Sequence, residues 1–378
     1  MRRLISLLAL FGCAACAPRV VAQQVKSPIV GGGSNRAALI PSSPGQPPRP
    51  TPTPTPGRSP TAGPSTSADG WSPVRLTNGG CCPDPFWSAD SREVRFLARP
   101  EPTQPASIYA IPRTGGPAKL VRREPALFSP DGAYTVTAAG ETVVLERSQD
   151  GKRWTITTDG RGVRFSNTMR YIAWTESSDA FTNLNLIQRT IWIANLDGSQ
   201  GSSVVTVVGG GFLGWTKDDA GILVSGGLIT GGPRGVWRVS AAGGEPELLF
   251  EAEEVQGSLV SPKGGWLAFF VAFGSDPDRN GLWVMSTEDG SASLVESFGS
   301  YRWRDEGRLL IVPLVINQPG DGLWQYEATS DALTKLFGSG EVPFKVANND
   351  WSVSPDGAYI AFRSGIDENI WTLALPTH

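Results

Sequence analysis

The chain has 378 residues, 18% charged and 40% hydrophobic, with a formal net charge of −3 at pH 7. That length allows a large core, and with no long Lys or Arg run a nucleic-acid surface is not expected. The single histidine is His378; without an interior imidazole, Ser-His and Cys-His nucleophilic sites and most zinc sites fall away, leaving chemistry run by carboxylates, Lys, Tyr or a bound metal.

Residues 1–22 read as an export signal, with Met1-Arg2-Arg3 followed by a short apolar run from Leu4 to Phe11. That run is too short to span a bilayer. Leu10-Phe11-Gly12-Cys13 resembles a bacterial lipobox with Cys13 as the lipidated residue, while Val20-Val21-Ala22 offers a competing small-x-small cleavage site. Either cut puts the mature chain outside the cytoplasm, in the cell envelope or beyond it. Residues 23–70 read as a Pro/Thr/Ser-rich tether, densest in Arg49-Pro50-Thr51-Pro52-Thr53-Pro54-Thr55-Pro56. Such a segment buries little apolar surface and favours extended, semi-rigid polyproline geometry.

From residue 71 to 378 one unit repeats. Its first strand and turn read Phe86-Trp87-Ser88-Ala89-Asp90, Phe128-Ser129-Pro130-Asp131-Gly132, Phe165-Ser166-Asn167-Thr168 and Trp215-Thr216-Lys217-Asp218-Asp219. Val260-Ser261-Pro262-Lys263-Gly264, Trp303-Arg304-Asp305-Glu306-Gly307 and Val353-Ser354-Pro355-Asp356-Gly357 continue the series, with starts about 37 to 50 residues apart. That is the period of a four-stranded propeller blade. Pro presets φ, Asp bonds its own backbone and Gly takes φ > 0, so the turn joins adjacent antiparallel strands. A third strand carries an aliphatic–aromatic pair: Ile108-Tyr109, Ile191-Trp192, Val236-Trp237, Leu282-Trp283, Leu323-Trp324 and Ile370-Trp371. Recurrence in register points to packing between neighbouring blades, with stacking on a sugar as the other use of such an aromatic.

These residues resemble the TolB-type, WD40-like (PD40) β-propeller repeats, over about Trp71 to Leu375. The resemblance implies an all-β, seven-bladed β-propeller. TolB proteins carry an additional N-terminal α/β domain where this chain has its proline-rich tether, so their partners are not carried over. The last unit stops one strand short, and Val74–Thr77 matches a fourth strand lacking its first three, so it is expected to pair with Ile370–Leu373 and close the ring.

Alternating strand direction puts the short turns on one face and the long 2–3 loops and blade connections on the other. The long-loop face is the expected recognition surface. Binding-face candidates are Cys81, Cys82, Asp179, Phe181, Arg234, Asp321, Asp367 and Glu368. Adjacent Cys81 and Cys82 can form a vicinal disulfide in an oxidising compartment or stay a thiol pair. Asp276-Pro277-Asp278-Arg279-Asn280-Gly281 opens like a calcium loop, with Asp276, Asp278 and Asn280 as candidate ligands, but no acid falls at the twelfth position, Thr287. Ser148-Gln149-Asp150-Gly151-Lys152-Arg153-Trp154 resembles an Asp-box, a structural motif of sialidase-like propellers.

The function expected is a non-catalytic binding or scaffolding module of the cell envelope, taking a protein or glycan partner. It is expected to be monomeric, without cofactor, and membrane-associated only through a lipid anchor. The alternatives are a carboxylate- or metal-dependent hydrolase or lactonase-like propeller, and a calcium-stabilised adhesion domain.

Overall fold

The computed structural model describes residues 71–80, 82–99, 105–178, 186–272, 276–314, 322–338 and 340–376. The repeated turn builds the sheets. In Ser129-Pro130-Asp131-Gly132 the Ser129 hydroxyl donates to the Asp131 carboxylate and accepts the Tyr134 N–H at 2.9 Å. Asp131 accepts the Ala133 N–H at 3.0 Å, and Gly132 sits at φ +72°. Ser354, Asp356 and Gly357 repeat the arrangement. The serine is buried in both turns, so its hydroxyl is a structural pin between the first strand and the second.

Five four-stranded antiparallel blades result. They run Phe86–Trp87, Glu93–Ala98, Ser107–Pro112, Lys119–Arg122; then Leu127–Phe128, Tyr134–Ala139, Thr142–Arg147, Arg153–Thr157. Further along come Val255–Val260, Trp266–Val271, Gly281–Ser286, Ala292–Val295, and Gly299–Trp303, Arg308–Pro313, Leu323–Glu327, Ala332–Phe337. The closing blade is Val346–Val353, Tyr359–Ser364, Ile370–Ala374, with Val74–Arg75 on its outer edge.

The expected count of seven blades is therefore corrected to five. The strands from Arg164 to Glu251, read in the sequence as two further blades, form one seven-stranded sheet instead. Its middle strand, Ser202–Trp215, pairs with Gln188–Asn195 through its first half and with Gly221–Leu228 through its second. No polar loop separates the halves; the strand bends at Gly209-Gly210-Gly211 with register shifts around it. Gly209 has φ +63°, and a Cβ on Gly210 would lie 1.8 Å from the Ser225 carbonyl oxygen, so only glycine allows this approach.

The ring closes through Val74↔Thr372 and Arg75↔Trp371, extended by the Leu76 N–H to the Ile370 carbonyl at 2.8 Å. Buried Asn369 helps hold the incoming segment: its Oδ1 accepts the Gly80 N–H at 3.1 Å. Core lies between adjacent sheets. Leu310, Leu323 and Phe337 pack with Trp351, Ile360 and Phe362 of the closing blade, and Leu76, Trp87 and Phe96 pack with Ala361 and Ile370. In the third-strand pairs the aliphatic member is the deeper one: Ile108, Ile191, Leu282, Leu323 and Ile370 are fully buried while their aromatic neighbours keep an exposed edge. Tryptophans bridge between sheets from third strands, as Trp283 does against Phe250 with centroids 5.1 Å apart, and from first strands. Trp87 Nε1 donates to the Ser352 carbonyl at 3.3 Å, and Trp303 Nε1 to the Leu259 carbonyl at 2.8 Å.

Candidate functional site: an arginine cleft on the long-loop face

Ser177 and Arg189 stand opposite one another at the base of the 2–3 loop in the seven-stranded sheet. Gly210 and Gly211, at the strand bend, lie beside them, and Arg161 and Arg164 enter from the preceding connection and the sheet's first strand. Together they line a cleft of about 370 Å³, floored by Trp174 and Phe212. Trp174 stacks on Trp192 with centroids 6.0 Å apart and planes at 9°, which fixes that floor.

The cleft's electrostatics are one-sided. Arg161 and Arg164 are exposed, and their guanidinium groups have no hydrogen-bond or ion-pair partner among the described residues. Arg189 donates to the Gly210 carbonyl. Burial pushes the Arg164 guanidinium below its ordinary value, because protein surrounds it although water reaches it. Arg189 is lowered by burial and then by the positive charge of Arg161. Arginine stays protonated through such shifts, so the cleft holds fixed positive charge.

Among the earlier binding-face candidates, several have structural work. Arg234 spans the strand bend, its Nε donating to the Glu253 carbonyl at 2.9 Å, Nη2 to Gly209 at 3.0 Å and Nη1 to Val208 at 3.3 Å. Asp367 accepts the Asn369 N–H and the Trp371 indole N–H, both at 3.1 Å, and lies 3.4 Å from Arg75 of the closing strand. Despite some burial, these donors and Arg75 hold its carboxyl below the ordinary value. Glu368 pairs with Arg363 at 3.2 Å. Cys82 is disulfide-bonded and buried beside Leu76, Trp87 and Phe96, at the edge of a second, mainly apolar hollow of about 820 Å³. Cys13, Cys81, Asp179, Phe181 and Asp321 lie outside the described residues.

The calcium candidates lie in and around one short turn. Asp276 caps a short 3₁₀ turn over Pro277–Arg279 by accepting the Asp278 N–H at 3.1 Å, and the Asn280 backbone N–H bonds Pro277. Among the described residues no group of three or more His, Cys, Asp or Glu is placed to hold a metal ion. Sequence reading missed Arg161 and Arg164. The only trace they leave is a pair of closely spaced arginines in Arg161-Gly162-Val163-Arg164.

These features define an all-β propeller with one compact face of short turns and one face carrying loops and a basic cleft. No protein-family model matches the sequence, and no curated protein matches it. Among solved structures the chain is similar to oligogalacturonate lyase from Vibrio parahaemolyticus, at 12% identity and a TM-score of 0.59, over 83% of this chain and 96% of that one. It is similar to an oligogalacturonate lyase in complex with manganese, at 13% identity and 0.57, over the same shares. TolB from Acinetobacter baumannii aligns at 14% identity with a TM-score of 0.41, over 77% of this chain and 65% of that one. The likenesses are of fold, and TolB-like propellers are among the structural neighbours.

Proposed function

We propose that the protein is an exported, lipid-anchored β-propeller that binds or scaffolds an envelope partner through its long-loop face, without catalysis of its own. The observation that carries this reading is an asymmetry of exposed apolar side chains. Leu186, Ile229, Phe298, Leu314 and Ile366, each 53% to 68% exposed, all belong to loops or connections of the long-loop face. The other exposed large hydrophobics, Val74, Leu120, Val121 and Leu294, sit on outer strands, and among the described residues the short-turn face has none. A bias of exposed apolar side chains toward one face favours that face as the interaction surface. Export and anchoring rest on the basic start, the short apolar run and Cys13 of the N-terminal sequence.

Retention of envelope proteins and glycans on the immobilised chain tests the reading. Replacing Phe298, Leu314 and Ile366 together by Ser should abolish retention, Leu120→Ser on an outer strand should not, and the retained molecule should be recovered chemically unchanged. Retention indifferent to the triple variant would sink the proposal. Recovery of a converted molecule would favour the hydrolase reading instead, for which one observation speaks: buried Asp350 lies beside Asp84. Its carboxyl is pushed above the ordinary value by burial and by Asp84, against the pull of Arg363 at 3.4 Å.

A further inference from the structure

Several arginines of the ring pair with a carboxylate. Arg75 pairs with Asp367, Arg113 with Asp356, Arg147 with Asp150, Arg238 with Glu247 and Arg308 with Asp305. The cleft of the seven-stranded sheet differs from these. Among the described residues Arg161 and Arg164 have no anionic partner, and Arg161 stands near enough to Arg189 to disfavour its charge. Gathering like charges around a partly enclosed space is unfavourable unless an anion enters it. The space is of a size for small ligands, about 370 Å³ against roughly 300–1,000 Å³ for typical small-molecule sites. Its remaining polar groups suit the same guest. Thr175 and Ser177 add hydroxyl-bearing residues to its lining, and Trp174 and Phe212 add aromatic ones.

We propose that this cleft binds the oxyanion group of a small acidic ligand, a carboxylate or a phosphate, with Arg161 and Arg164 as the guanidinium groups that take it. Guanidinium forks match both anions by paired N–H donors. Arg189 holds the wall in place through Gly210 and adds its field. The inference rests on the long-loop face being the binding face, and it names the chemistry that face accepts.

Titration calorimetry of the mature full chain at low ionic strength tests it, with inorganic phosphate, trigalacturonate and neutral maltotriose as probes. At least one of the two anions should bind, maltotriose should not, and added NaCl should weaken the binding. The double variant Arg161→Gln/Arg164→Gln should lower affinity roughly ten-fold or more, as loss of charged hydrogen bonds does. Lys152→Gln on the opposite face should leave it unchanged. Because neither arginine braces the fold, the double variant should melt no lower than the parent, which separates lost binding from lost folding. Phosphate alone binding assigns a phosphate ester, and trigalacturonate alone assigns a carboxylated saccharide; both support the inference. Failure of both anions at roughly 10 mM, or binding that ignores the double variant, overturns it. If that happens while the apolar-loop variant still loses retention, the anion chemistry falls and the binding face stands.

Discussion

At the scale of single residues, the chain uses its arginines in two ways that sequence alone does not separate. Arg234 was a binding candidate because it opens a strand on the loop-bearing face. In the fold it supplies donors to the Val208 and Gly209 carbonyls at the strand bend and to the Glu253 carbonyl in the next blade connection. A partly buried carbonyl without a donor is costly, so Arg234→Ala should lower stability by about 1–3 kcal/mol in denaturant unfolding. Lysine should recover little of this, since one ammonium cannot reach all three oxygens with the geometry of a planar fork. Arg164 has no such duty, and its replacement by Gln should leave the denaturation midpoint where it is. The two side chains differ in what stands opposite them, and the partners lie tens of residues away. Asp367 and Glu368 follow the same lesson: Asp367 faces Arg75 of the closing strand, and Glu368 faces Arg363 within its own blade.

At the scale of elements, the turn and strand pattern was legible because its causes are local. Ser, Asp and Gly at fixed offsets fix one hydroxyl bridge and one positive φ, and the strands on either side follow. The segment near Val74 was legible too, since a fourth strand without a preceding three needs a partner elsewhere. The separation of blades was not. A blade connection is normally marked by polar turn residues, whereas Val207-Val208-Gly209-Gly210-Gly211-Phe212 continues the apolar pattern, and its three glycines let the backbone bend without leaving either neighbour. Gly210→Ala tests this directly. With the Ser225 carbonyl oxygen 1.8 Å from the new Cβ, the strand must move, at a cost on the order of 3 kcal/mol or more. The loss should appear in thermal melts and in hydrogen exchange of the Gly221–Leu228 amides. The cleft escaped the sequence for a related reason: it is assembled from a connection, three strands and the same bend, none of which signals the others.

At the scale of the whole molecule, the short-turn face ties neighbouring units together through carboxylates. Asp219 accepts the Asn167 and Thr168 N–H groups, each at 2.9 Å, and Glu306 accepts the Gly265 N–H at 2.7 Å. Within the turns, hydroxyl donors and then backbone N–H groups hold Asp90, Asp197, Asp218 and Asp289 below the ordinary 3.8. A carboxyl depressed in the fold adds stability above its unfolded value, and that stability is lost as pH falls through the folded value. Asp350 is raised and acts in the opposite sense: its contribution is present in acid and lost as pH rises through its folded value. With Asp150, Asp305, Glu341 and Asp367 also depressed, the lowered carboxyls outnumber the one raised group and should make the protein melt lower at pH 3 than at pH 6. Equal Tm values at the two pH values would contradict that balance.

The closure also sets an order of events. Thr77 Oγ1 accepts the Ile370 N–H at 2.9 Å across 293 residues of sequence. During synthesis the segment made first must therefore wait, unpaired, until nearly the whole chain has emerged. Long-range pairing of this kind is slow to form and leaves an open β edge meanwhile. Assembly of the ring is thus a late, all-chain event, and the nascent protein depends on whatever shelters that edge until its other end arrives.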